Sequence, residues 1–225
     1  MIHKTAIIDN KAKISQSVKV GPYSIIGPNV EIEENTIIHS HVNLTGYTKI
    51  GKNNQIFPFS SIGTPPQDLK YKGEKNSLII GNNNKFREYV NINPGTEQGG
   101  GITSIGDNNL IMVYCHVAHD CKLSNNIVLA NNVQVGGHVI IEKNAIVGGS
   151  CAIHQFSRIG ESSMIGGMTG VLSDVIPFGL SMGNRNNLMG LNLIGLRRSK
   201  VSNENIKKIQ LAYGTIFKTS SFREN

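Results

Sequence analysis

Residues 105–153 read IGDNNL IMVYCH VAHDCK LSNNIV LANNVQ VGGHVI IEKNAI VGGSCA I, and every block of six opens on an aliphatic residue. The same step runs earlier through Ile8, Ile14, Val20, Ile26, Ile32, Ile38, Leu44, Ile50, Ile56 and Ile62. It resumes at Ile80, Phe86 and Ile92, and after a seven-residue shift continues from Ile105 to Ile159, Ile165 and Val171. Of these landings only Phe86 is not aliphatic. A period of six is neither the 3.6 of a helix nor the 2 of a flat strand. It fits an all-β solenoid, a parallel β-helix in which each hexad is one short strand and a corner. Three hexads close a triangular coil with one aliphatic per side pointing inward. Such a coil is too thin to bury its own core, so stacked neighbours supply the stability.

The rest of each hexad agrees. Glycine often follows the aliphatic anchor, as at Gly21, Gly51, Gly81, Gly136 and Gly148, and Asn and Gly elsewhere supply tight corners. Cys115, Cys121 and Cys151 each stand four places after an anchor, where small side chains are expected, and lack zinc or CxxC spacing. They read as packing. Two stretches leave the period: Thr64 to Ile79, polar and charged, and Gln98 to Thr103 with three consecutive glycines. Loops that leave a stack are natural carriers of function.

After Val171 the period fades. Ser202 can cap a helix whose Ile206, Ile209, Ala212, Tyr213, Ile216 and Phe217 form one apolar stripe, and a shorter helix is expected over Leu188 to Arg198. The expected division is a β-helix domain over 1–178 and a short C-terminal helical tail over 179–225. No run of eighteen apolar residues exists and no apolar stretch follows the N-terminal charges, so the chain is expected to be cytoplasmic, without a transmembrane segment. The net charge of +7 suits an anionic partner without choosing one.

Parallel stacking makes residues one coil apart neighbours at roughly 4.8 Å. His119 then lies beside Gly137 and Gly137 beside Gln155, Asp120 beside His138, and Ala118, Gly136 and His154 form a third column. Four histidines (His116, His119, His138, His154) therefore gather on one edge, with Asp120 and Gln155. A histidine with an adjacent carboxylate can act as general base, and a glycine N–H beside it can receive an oxyanion. No Ser or Cys nucleophile fits the column, which favours direct attack by an acceptor over an acyl-enzyme.

At these residues the chain resembles the UDP-N-acetylglucosamine O-acyltransferases of lipid A biosynthesis, within the wider hexapeptide transferases. The strings that carry the resemblance are QDLKY at 67–71, QGGG at 98–101, HVAHDC at 116–121, LANN at 129–132, Gly137-His138, HQF at 154–156, Gly183-Asn184 and GLRR at 195–198. The resemblance implies a left-handed coil, a homotrimer with sites between subunits, and no metal or bound cofactor. It further implies transfer of a 3-hydroxyacyl chain from acyl carrier protein to the glucosamine 3-hydroxyl of UDP-N-acetylglucosamine. By position His119 would be the base, Asp120 its orienting acid and the Gly137 N–H the oxyanion donor. Asp68, Lys70, His116, His138, His154 and Gln155 would line the substrate pocket. Asn192 and Arg198 would hold the uridine and phosphate end, and Gly167 matches the position that limits acyl-chain length. Ser199 stands where the family has a further basic residue, and the family continues past residue 225, so the tail is expected to be short or truncated.

Three rival readings fit the residues less well. A hexapeptide zinc carbonic anhydrase needs a histidine pair five apart, whereas His116 and His119 are three apart. A related acyltransferase of the glucosamine 2-amine carries a domain ahead of the solenoid, yet the repeat here starts at Ile8. A scaffold binding nucleic acid through its charge leaves the histidine edge without a role, so no nucleic-acid partner is expected.

Overall fold

The computed structural model describes residues 1–217. Most of its strands are two residues long and end on an anchor of the six-residue step, and they stack into three sheets of nine, eight and ten strands, parallel except for the last pair of the ten-stranded sheet. Face 1 starts at Ile7–Ile8, face 2 at Lys13–Ile14 and face 3 at Lys19–Val20, and the chain visits them in that order. The register is parallel throughout the coils, with Ile7 opposite Ile25 and His116 opposite Gln134.

The anchors are buried in a single continuous core, apart from Ile8 and Ile14 at the open N-terminal end. Each hexad in fact turns two side chains inward, the anchor and the residue four places later, so that Val30, Val42, Val90, Val133 and Val139 join the core. Cys115, Cys121 and Cys151 occupy that second position and are buried. Burial pushes the Cys115 thiol up to about 11 and the Cys121 thiol to about 12, so both stay protonated and inert near neutral pH.

The three corners solve the turn differently. Beyond the first coil most corners place one residue in the left-handed region. Between faces 2 and 3 that residue is Asn35, Asn53, Asn83, Asn108, Asn126 and Asn144 in successive coils, the non-glycine type that tolerates it best. Between faces 3 and 1 it is Asn132, Ser150 and Met168 in the later coils, and in the earlier ones Tyr23, His41, Phe59, Tyr89 and Tyr114. These rings stack with centroids 4.7–5.2 Å apart, and the stacking offsets part of their backbone strain. The glycines after the anchors serve a separate purpose. A Cβ on Gly81 would stand 2.7 Å from the Gly106 carbonyl oxygen of the next coil, so glycine there permits close stacking and does not make the turn.

Both insertions leave the corner between faces 1 and 2 without disturbing the stack, since Ser61 pairs with Asn91 and Asn91 with His116 across them. The first excursion ends earlier than expected, at the strand Ser77–Ile80. In the second, Ile102 and Thr103 already belong to the strand Ile102–Ile105. At the C-terminal end Gly179–Met182 extends face 3, and Asn187–Leu191 pairs antiparallel with it. The helix expected from Leu188 is therefore a strand at its start. Helix α1 spans only Leu193–Arg198, capped by the Asn192 side chain. Helix α2 spans Asn203–Phe217, and the Asn205 N–H donates to the Ser202 hydroxyl at 3.2 Å. Of its apolar stripe Ile206 is buried, while Ile216 and Phe217 remain exposed. No helix among the described residues is long and apolar enough to cross a membrane.

A polar ladder runs inside the corner between faces 2 and 3. The Asn54 side-chain oxygen accepts the Asn84 backbone and side-chain N–H groups at 2.9 and 3.0 Å, and that of Asn84 accepts the Asn109 N–H at 2.8 Å. All three are buried, so each bond replaces water that cannot enter. Asn84→Leu should strand the Asn109 N–H and the Gly106 carbonyl and cost about 2–4 kcal/mol. Thermal denaturation should show a clearly lowered Tm, and an unchanged Tm would mean the ladder contributes nothing.

Candidate active site

The corner between faces 1 and 2 carries His119–Asp120, Gly137–His138 and Gln155–Phe156 in three successive coils. The His138 N–H donates to the His119 carbonyl and the Phe156 N–H to the Gly137 carbonyl. Asp120, His138 and Phe156 take the left-handed position, at φ 59°, 61° and 66°.

Asp120 is buried and His119 nearly so. The His119 Nδ1 lies 2.8 Å from Asp120 Oδ2. A carboxylate can only accept, so Nδ1 carries the proton and the Nε2 lone pair is left for chemistry. His138 stands edge-on to His119, its Nε2 3.9 Å from the same carboxylate oxygen, and stacks on Phe156 with centroids 4.4 Å apart.

A buried carboxylate needs compensation, and the second insertion provides it. The Thr96 N–H donates to Asp120 Oδ1 at 2.9 Å and the Thr96 hydroxyl to Oδ2 at 2.7 Å, while Thr103 Oγ1 accepts the Asp120 N–H. Gly99 lies so close that a Cβ on it would overlap the Asp120 carboxylate. This loop is a cover over the acid. Thr96 was not singled out by the repeat, although its loop leaves the stack one coil below HVAHDC.

Gly137 is as constrained as the histidine. A Cβ there would stand 2.7 Å from His119 Cε1 and 2.8 Å from Nε2, so glycine is what lets the imidazole lie across the corner. Among the described residues no protein group accepts the Gly137 N–H.

His116 sits on face 1, three residues before the base. Its Nδ1 is 2.7 Å from the Asn91 side-chain oxygen. Burial first and the charge of His119 second hold the His116 imidazole below its ordinary value, which favours the neutral form. His154 is exposed one coil above Gly136, its Nδ1 3.0 Å from the Gln155 carbonyl, and no hydrogen bond joins it to His119 or His138 among the described residues. Asp68 and Lys70 line a pocket of about 330 Å³ with Thr96 and Gln98, between the two insertions. Asp68 also shapes its own loop, its side chain accepting the Lys70 N–H.

The other candidates lie elsewhere. Gly167 is on the corner between faces 3 and 1, where the Met168 N–H donates to the Gly149 carbonyl. Asn192 is on the corner between faces 2 and 3. Its side chain is committed internally, accepting the Gly195 N–H at 3.0 Å and donating to the Ser162 carbonyl at 3.1 Å. Arg198 ends α1 and is exposed. One chain therefore brings the histidine cluster and the Asp68 loop to one edge and leaves the acyl-length and phosphate candidates on the other two.

The His119, Asp120 and His138 donor atoms lie within 4.8 Å of one another, a spacing a cation could use. Both Asp120 oxygens, however, already accept protein donors, one of them the His119 proton at hydrogen-bond distance. The group is wired as an acid–base pair.

Comparison with known proteins decides the family. An acyl-[acyl-carrier-protein]–UDP-N-acetylglucosamine O-acyltransferase of Thermodesulfovibrio yellowstonii is 52% identical over 217 residues, 96% of this chain and 84% of that protein. This chain belongs to the UDP-N-acetylglucosamine O-acyltransferase family. A relative of the same name from Aliarcobacter butzleri is 51% identical over 216 residues, covering 96% of this chain and 83% of its own length. Among solved structures, LpxA of Acinetobacter baumannii superposes with a TM-score of 0.96 at 48% identity, over 97% of this chain and 85% of that one. The Moraxella catarrhalis UDP-N-acetylglucosamine O-acyltransferase gives 0.97 at 46%, over 99% and 87%. The model of the second domain of UDP-N-acetylglucosamine O-acyltransferase matches residues 174–225, and the six-repeat bacterial transferase hexapeptide model matches 2–46. The chain is a left-handed parallel β-helix, the hexads accounting for the coil and the family resemblance for its hand.

Proposed function

We propose that His119 is the general base with which this chain, an acyl-[acyl-carrier-protein]–UDP-N-acetylglucosamine O-acyltransferase, catalyses the first step of lipid A biosynthesis. The observation that carries the assignment is the 2.8 Å contact that protonates Nδ1 and frees Nε2. The glucosamine 3-hydroxyl gives its proton to His119 Nε2 as its oxygen attacks the thioester carbonyl carbon. Asp120, held by Thr96, stabilises the imidazolium that forms. The carbonyl oxygen gains charge beside the Gly137 N–H, a preorganised donor. Collapse breaks the C–S bond, and the proton on His119 leaves with the carrier thiolate. Cys115 and Cys121 are buried with raised thiol values, so neither competes as a nucleophile.

Asp68 and Lys70 bind the sugar nucleotide beside this corner, and His116, His138, His154 and Gln155 line its approach. The remaining parts come from another copy of the chain. Gly167 supplies the end of the acyl groove, and Asn192 seats α1 so that Arg198 meets the phosphates. Closure into a homotrimer meets that need, because cyclic symmetry sets one corner of each prism against a different corner of the next. The active protein works in the cytoplasm, where acyl carrier protein and nucleotide sugar are both found.

His119→Ala should lower turnover about 10²- to 10⁴-fold with the melting temperature unchanged, as loss of a general base does. A well-folded variant with wild-type turnover would remove His119 from the mechanism.

Gly167 tests the acyl groove. Its φ lies outside the left-handed region, and a Cβ would meet only the Gly149 backbone, at 3.3 Å. Gly167→Met should therefore fold and block the groove. Each excluded methylene forfeits about 0.8 kcal/mol, close to fourfold in relative rate, so preference should move to shorter donors by orders of magnitude. Relative rates on a series of carrier-linked donors read this out, and an unchanged length profile would show that Gly167 lies outside the groove.

A further inference from the structure

Resting on the acyl-transfer reading above, we propose that Asn91 is a positioning residue for acceptor recognition: its amide oxygen fixes the proton of His116 on Nδ1 and makes His116 Nε2 an obligate hydrogen-bond acceptor for the acceptor sugar.

The placement begins with register. On the outward side of face 1, Asn43, Ser61, Asn91, His116 and Gln134 stand one above another. A step of one coil back from His116 in the sequence lands on Gln98, inside the second insertion. The stack closes over that insertion, and the true neighbour of His116 is Asn91, 25 residues earlier.

The orientation of the Asn91 amide is set from the other side. Its Nδ2 donates to the Ser61 carbonyl and to Thr64 Oγ1, both at 3.3 Å. A carbonyl can only accept, so the nitrogen must face Ser61 and the oxygen must face His116. The imidazole nitrogen 2.7 Å from that oxygen must then carry a proton. Burial and the neighbouring His119 keep the ring neutral, so the proton on Nδ1 is its only one. Nε2 has a lone pair, and no group among the described residues bonds to it.

Two neighbouring imidazoles thus present Nε2 lone pairs, with distinct partners behind them. His119 is backed by a carboxylate, which rewards taking a proton. His116 is backed by a neutral amide, which does not. The first is suited to remove a proton and the second to accept a hydrogen bond without removing it. An obligate acceptor selects a sugar presenting an O–H or N–H at that point and leaves a buried lone pair unpaired when the donor is missing. Asn91 contributes to binding through this choice of tautomer, without touching the sugar.

The experiment compares Asn91→Leu with Asn91→Asp in alkaline buffer, where His116 is neutral in both. Each variant loses the amide donor to Ser61 and Thr64, so the difference between them reports the acceptor oxygen, to which Asp adds a charge that the alkaline buffer keeps from protonating His116. Two-bond proton–nitrogen correlation spectra of histidine-labelled protein give the tautomer, with a His116→Gln sample assigning the resonance. Wild type and Asn91→Asp should show His116 protonated on Nδ1, and Asn91→Leu a mixture. The KM for UDP-N-acetylglucosamine should rise about tenfold in the Leu variant, the worth of one hydrogen bond. Its kcat should stay within about twofold, and Asn91→Asp should keep both near wild type. His116 protonated on Nε2 in wild type, or Leu and Asp variants impaired alike, would overturn the proposal. The spectra speak even if acyl transfer is absent, in which case the reading of the reaction fails and the tautomer assignment stands.

Discussion

The whole molecule depends on one constraint: every coil must hydrogen-bond to the coils on either side in unbroken parallel register. A two-residue strand has no stability alone, and each coil offers only a few inward aliphatic side chains. Stacking supplies both the missing backbone partners and the continuous core from Val18 to Val175. The constraint acts at the corners too, where the turn residue of one coil donates to a carbonyl of the coil below, as His138 does to His119.

The same register turns sequence into columns, and columns into chemistry. A column can be inert, as where Asn repeats in the left-handed position. It can be a ladder of aromatic rings, whose stacking compensates strain. On the remaining corner it places a histidine, a glycine and a glutamine in line, with an acid alongside. The insertions fit because they leave and re-enter at one corner, so their cost is confined to loop closure. In return the second insertion seals Asp120 from water, and the pair it makes with His119 keeps its strength in a low-dielectric setting.

Much of this was legible. The anchors fixed the coil, and one-coil offsets placed His119 against Gly137 and Asp120 against His138. Whatever depended on chain leaving the period was not. Thr96 and Asn91 reach Asp120 and His116 across a coil lengthened by the insertion, so the regular step passes them by. The second inward position of each hexad was legible only where Cys115, Cys121 and Cys151 mark it as packing, because Thr, Ser and Asn share it with Val elsewhere. The strand Asn187–Leu191 reads like helix from its composition, and only pairing with Gly179–Met182 makes it extended. Candidates drawn from resemblance were legible as residues but not as places, since Gly167 and Asn192 proved to lie on two further corners.

That separation is what the proposal of a shared site rests on, in which the histidine corner is completed by a second copy of the chain. Co-expression of His119→Ala with Arg198→Glu tests it directly. A site that takes its base from one chain and its phosphate contact from the next is intact when the first is the Arg198 variant and the second the His119 variant. Random assembly of equal amounts makes about one site in four intact. Acyl transfer near a quarter of wild type in the mixed protein, with both parents inactive, is the predicted result. Activity in the mixture no greater than the sum of its parents would contradict the account and return the complete site to a single chain.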